Sequence, residues 1–140
     1  MLDNFKTVLL DDDSEYVIQV CSATQQWKML QMFSRYGLSD ALFYLASGEK
    51  AMVAAAFFGK FAEKATDQEQ AEVTKMLLGN CVKLGDDKPI KIDDFHNRMA
   101  AYIQLHIEAL KLNYADFMPF LQSAEETKPE SEKADTMSTL

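Results

Sequence analysis

The sequence predicts a mainly α fold with short β-hairpins, of α+β class: a small helical bundle of four to five helices, an N-terminal hairpin and a disordered acidic C-terminal tail. Three observations predict it. Apolar residues recur at spacings of three and four from residue 23 onward, two β-branched and aromatic runs stand near the start, and almost nothing apolar follows residue 121. The 140 residues, 48% hydrophobic and 26% charged, suffice for one domain that buries a core. Residues 1–121 are expected to form that single globular helical domain. Residues 122–140, rich in Glu, Lys, Ser and Thr, carry too little apolar surface to offset the entropy of ordering and should be a disordered acidic tail.

Residues 5–10 and 16–21 are strand-like runs separated by Asp11-Asp-Asp-Ser14, a turn-forming cluster. A helix follows from Ala23, with Met29, Met32, Phe33 and Tyr36 at helical spacing and Trp27 among its apolar positions; Gly37 stops it. Ser39 and Asp40 can cap a second, short helix through Phe43 and Leu45 that Gly48 ends. Residues 49–65 read as a third, Ala-rich helix. Thr66-Asp-Gln-Glu69 has the spacing of a capping box, in which each side chain satisfies a backbone donor of the other residue, and opens a fourth helix to about Leu78.

Residues 82–92 read as two short strands about a Gly-Asp-Asp turn, with Pro89 tolerable at an edge. Asp93 or Asp94 should cap the longest helix, whose apolar stripe is Phe95, Met99, Tyr102, Ile103, His106 and Leu110. Asn113, tolerant of left-handed geometry, is the expected break. A last apolar cluster, Tyr114, Phe117, Met118, Phe120 and Leu121, precedes the tail.

The formal charge of −8 argues against nucleic acid or an anionic membrane as the main partner, because both demand clustered Lys and Arg. The longest uninterrupted apolar stretch, residues 51–58, is far short of the roughly 20 residues of a membrane span. The first residues lack the basic start and apolar run of a secretory signal, so a cytoplasmic location is expected. Cys21 and Cys81 lie among apolar residues and read as buried thiols.

No convergent chemistry is visible, and neither a metal nor another cofactor is expected. His96 and His106 lie ten residues apart on different faces of one expected helix, and His106 reads as a hydrogen-bonded core or rim residue. The acidic run from Asp11 resembles the start of a calcium loop, but Tyr16 and Ser22 stand where that loop needs glycine and glutamate. A solvated turn is the better reading.

The informative anomaly is residues 51–58, continued by Phe61: apolar on nearly every helical face, where a helix apolar all round must be buried all round. Burying one completely is demanding in a domain of this size. Phe57 and Phe58 point about 100° apart, so at least one of them is free to face outward. Eight methionines suit a surface that accepts varied apolar partners, though Met also fills cores. If the segment lines a partner groove, its lining residues are Met52, Phe57, Phe58, Phe61, Met76 and Leu77.

Phe95 and Arg98 at the start of the long helix, then Asn113, Tyr114 and Phe117 at its end, resemble the close of the tail assembly chaperones of long-tailed bacteriophages. The front is similar too: a strand pair leading through Cys21-Ser-Ala-Thr24 into a helix ended by Gly37, then a small helix through Ala41, Leu42 and Leu45. The likeness spans about residues 5–120. One departure stands out, for Asn97 replaces the glycine that many relatives carry before the arginine.

The resemblance implies a non-enzymatic protein that binds the helical tape measure protein through an apolar groove and keeps it soluble in the host cytoplasm while the tail tube assembles. It also implies a second partner, tail tube protein, recruited in many relatives by a longer frameshifted product. The alternatives are a small acidic adaptor or inhibitor that binds a folded partner by charge, a small enzyme, which chelator sensitivity or a bound metal would support, and a structural subunit that self-assembles as a homo-oligomer. Salt separates the first alternative from groove binding, since electrostatic association weakens with ionic strength.

Overall fold

The computed structural model describes residues 4–119; the expected tail, together with Phe120 and Leu121, lies outside the described residues. β1 (Phe5–Leu9) and β2 (Glu15–Gln19) pair antiparallel in the register Phe5↔Gln19 to Leu9↔Glu15. The turn between them closes through Leu10 N–H to Ser14 O at 2.9 Å and Asp13 N–H to Leu10 O at 3.0 Å. Asp13 sits at φ +68°, a left-handed position that Asp tolerates better than most residues.

Tyr16 and Ile18 on β2 are buried, as alternation predicts for a half-covered sheet. The second hairpin forms only in part. β3 (Val82–Lys83) adds antiparallel to β2, giving the order β1-β2-β3, while its expected partner strand shrinks to a single bridge, Val82↔Pro89. Pro89 has no N–H and cannot extend that ladder.

α1 (Ala23–Arg35) begins at a capping box of Ser22 and Gln25 and buries Met29, Met32 and Phe33, leaving Trp27 exposed. Gly37 follows at φ +73°. α2 (Ser39–Ser47) buries Ala41, Leu42 and Leu45 and ends at Gly48, φ +80°. Its N-cap is Leu38 with no side-chain hydrogen bond, so Ser39 and Asp40 lie in the first turn instead of capping it; Asp40 there faces the positive end of the helix dipole.

The expected third helix is interrupted. α3 (Lys50–Ala55) passes into a π-helical turn (Ala56–Phe61) and returns to α in α4 (Ala62–Lys64). Val53, Phe57, Phe61 and Ala65, each four residues from the last, are all buried. In an unbroken α-helix a stripe at spacing four drifts by about 40° per step. One wider turn takes up that drift and keeps the stripe on the core.

α5 (Asp67–Leu78) starts at the expected Thr66/Glu69 capping box and buries Val73, Leu77 and Leu78. A 3₁₀ turn (Ile92–Phe95) then precedes α6 (Met99–Asn113). Asp94 accepts from Lys91 N–H at 2.9 Å and so closes the 3₁₀ turn, while α6 itself starts after Arg98 without a side-chain cap. The break is Asn97, at φ +60°, which Gly or Asn adopts at least cost; the glycine replaced in the resemblance falls at this left-handed position. His96 therefore lies in the turn, off the long helix, and Met99 stands exposed on its first turn instead of joining the core.

α6 runs through the middle of the domain, touching α2, α3, α5 and the 3₁₀ turn. Two latches fix it. At its start Arg98 donates to Asp12 Oδ2 from Nε (3.1 Å) and Nη2 (2.8 Å), and from Nη2 to Ser14 Oγ and Tyr16 Oη, both at 3.1 Å. Hydrogen bonds from Ser14 and Arg98 hold the Asp12 carboxyl down at about 2.

At the other end buried Asn113 accepts from Cys21 N–H (2.8 Å) and Gln26 Nε2 (3.2 Å) and donates to Ala109 O (2.8 Å), while Tyr114 Oη donates to Gln26 O at 3.0 Å. The chain after Asn113 is not left-handed, Tyr114 having φ −118°; the side chain, not the backbone, marks this terminus. Cys81 is buried and burial pushes its thiol up to about 12. Cys21 is only half-buried, because it sits at the domain edge where its Sγ donates to Met76 O at 2.9 Å.

Candidate functional site

α3, the π turn and α4 run beside α6 in the same direction, and α5 packs against α6's second half. Between them lies a cleft of about 80 Å³ walled by Phe57, Phe58, Phe61, Val73, Leu77 and Leu110, with Ala62, Gln70, Thr74, His106 and Ile107 completing it. This volume is far below the roughly 300–1,000 Å³ of a small-molecule pocket and suits one apolar side chain.

The π turn sets the aromatic wall. Phe57 and Phe61 point inward and meet Phe33 edge-on, with ring centroids 4.8 and 5.8 Å away. Phe58 turns the other way and remains 42% exposed at the mouth, its ring edge-on to His106 at 5.7 Å.

His106 is the polar centre of the cleft. Its Nδ1 lies 2.9 Å from Tyr102 O and its Nε2 3.0 Å from Thr74 Oγ1. A carbonyl can only accept, so Nδ1 carries the proton and Nε2 accepts from the Thr74 hydroxyl. Burial pulls the imidazole pKa below its ordinary value, against the opposing hydrogen bond to Tyr102. The ring is neutral at neutral pH. Gln70 Nε2 is likewise engaged, donating to Ala62 O at 3.1 Å and Ala65 O at 3.0 Å.

Thr74 and His106 have the separation of a nucleophile and its base, but Thr74 lies inside α5, where the helix's own bonds occupy the backbone donors an oxyanion would require. The cleft can therefore bury an apolar group and offers little for making or breaking bonds. Among the described residues no three His, Cys, Asp or Glu side chains gather as a metal site. No helix among them is long and apolar enough to cross a membrane.

Of the six groove residues named from sequence, Phe57, Phe58, Phe61 and Leu77 line this one cleft. Met52 is exposed elsewhere on α3, and Met76 is half-buried with its carbonyl bonded to Cys21. Apart from Leu77, the lining from α5 and α6 was not named as groove, although Gln70, Val73, Thr74 and Leu77 repeat at helical spacing on one face of α5. A second hollow of about 450 Å³ follows the same helix pair toward the hairpin turn, lined by Ala51, Ala54, Ala101 and Ile103 together with Asp12, Lys50, Arg98 and Gln104, and shares Ile107 with the cleft.

The residues of the resemblance are fasteners in this frame: Arg98 ties the hairpin turn to α6, and Asn113 and Tyr114 tie α6 to the start of α1. Neither curated proteins nor solved structures gave a significant match to the chain. The family model described as phage tail assembly chaperone protein, TAC, matches residues 12–126, from the hairpin turn through α6 and beyond. By that match, which covers most of its length, the chain belongs to the phage tail assembly chaperone family.

Proposed function

We propose that this tail assembly chaperone binds helical segments of the tape measure protein at the cleft between the π turn, α5 and α6, and keeps that protein soluble in the host cytoplasm while the tail tube forms. The observation that carries the reading is the exposed Phe58 at the mouth of an apolar cleft whose polar groups are already engaged with one another. An amphipathic helix offers one apolar side chain per turn to such a cleft, and its neighbours to the hollow that shares Ile107. The surrounding negative charge keeps the loaded chaperone from aggregating. Recruitment of tail tube protein is assigned in this reading to a longer, frameshifted product.

The test is co-expression with the tape measure protein of the same phage, followed by soluble yield and pull-down at low and high salt. A soluble complex that survives high salt and is lost in Phe58→Asp supports the reading. A complex that dissolves in salt and ignores Phe58→Asp would instead favour the acidic adaptor.

A further inference from the structure

We propose that two copies of this chain associate through β1, joining their three-stranded sheets edge to edge about a two-fold axis. The surface is separate from the cleft and does not depend on what the cleft binds. Among the described residues β1 pairs only with β2, which leaves one edge open. Val20 N–H bonds to Asn4 O at 2.6 Å and Leu10 N–H to Ser14 O at 2.9 Å, so the even-numbered positions of β1 bond inward. The N–H and C=O groups of Phe5, Thr7 and Leu9 therefore face outward. Natural edge strands are blunted by proline, bulges or charged side chains. β1 is regular over its whole length and carries one charge, Lys6.

The sheet face turned away from the core carries an apolar cluster beside Thr7, Glu15 and Gln19. Phe5, Leu9 and Leu84 are 47%, 61% and 52% exposed, and the paired Val17 and Val82 lie between them. An antiparallel sheet with one solvated face is ordinarily polar there, and an apolar patch of this kind marks a contact surface.

Register and charge select a second copy as the occupant. With Thr7 on the axis, each Phe5 falls opposite Leu9 of the second copy, each Lys6 opposite a Val8, and every outward group of Phe5, Thr7 and Leu9 finds a partner. Moving the axis to Lys6 sets the two lysines against each other. Moving it to Val8 sets Phe5 against Asp11. The strand is thus complementary to itself in one register and penalised in the neighbouring ones.

Sedimentation velocity of the purified full chain at rising concentration tests this. The expected result is a doubling of mass, abolished by Thr7→Pro, which removes an outward N–H without touching the β1–β2 ladder. Circular dichroism melting shows whether Thr7→Pro is folded. Phe5→Lys and Leu9→Glu should each give monomer, and the double variant should regain the dimer, because only the Thr7-centred register sets lysine opposite glutamate twice. If Thr7→Pro does not fold, this charge pair decides alone. A wild type that stays monomeric at its highest soluble concentration overturns the proposal and leaves the edge to an extended segment of another protein. So does a folded Thr7→Pro that dimerises like wild type, or a double variant that stays monomeric.

Discussion

Phe57 and Phe58 are adjacent in sequence and opposite in role, so replacing each by alanine separates stability from binding. Phe57 is 7% exposed and meets Phe33 edge-on, so its truncation leaves a core cavity costing about 3–5 kcal/mol. Phe58 keeps only part of its surface from water: about half of the 1.5–3 kcal/mol of a fully buried large side chain, plus roughly 0.5–1 for the edge contact to His106, gives about 1.3–2.5 kcal/mol. At roughly 4 °C per kcal/mol for a chain of this size, Phe57→Ala should melt about 12–20 °C early and Phe58→Ala about 5–10 °C early. Thermal and urea unfolding followed by circular dichroism measure both. At a temperature where both variants are folded, Phe58→Ala should lose most of the soluble tape measure protein and Phe57→Ala should retain more. A Phe58→Ala chaperone that performs like wild type would refute the assignment of the cleft mouth, and equal stability losses would refute the inward and outward placement of the two rings.

Three further outcomes are expected. Asn113→Ala strands Cys21 N–H, while Gln26 Nε2 keeps its bond to the residue-113 carbonyl at 3.0 Å, and should cost about 1–3 kcal/mol in urea unfolding; a loss under about 0.5 would mean the Asn113 side chain does not hold α6 to the start of α1. Because burial lowers the His106 pKa, the unfolded chain binds a proton that the native one refuses between 6.5 and the lowered value. Stability should therefore fall as pH drops below about 6.5, and His106→Gln should flatten the profile in that window. Asn97→Gly should be neutral or slightly stabilising in thermal melts, whereas Asn97→Val, forced to φ +60°, should lose about 1–2 kcal/mol.

Local signals were legible where one stretch of chain carries them whole. The β1–β2 hairpin, the stops at Gly37 and Gly48 and the Thr66/Glu69 capping box are each written within a few residues. The π turn was hidden because Val53, Phe57, Phe61 and Ala65 at spacing four look like an ordinary helical stripe; only the core they must all reach reveals the drift. Asn97 was read as a departure from a resemblance before its left-handed backbone explained why glycine or asparagine suits the place, and the missed break put Met99 in the wrong environment. Arg98 to Asp12 and Asn113 to Cys21 join residues 86 and 92 positions apart, beyond the reach of any periodicity. The aromatic wall of the cleft could be named from one helix, but its facing wall from α5 and α6, beyond Leu77, required the packing.

Arg98, Asn113 and Tyr114 are not among the residues that line the cleft, and their side-chain hydrogen bonds end inside the frame, although Arg98 also borders the larger hollow. The marks of the resemblance are therefore separate from the aromatic wall of the cleft. Phe58 and Thr74 could be exchanged for side chains of other shapes while every fastener stays in place, which makes the domain a chassis on which the cleft can be reshaped without redesigning the fold.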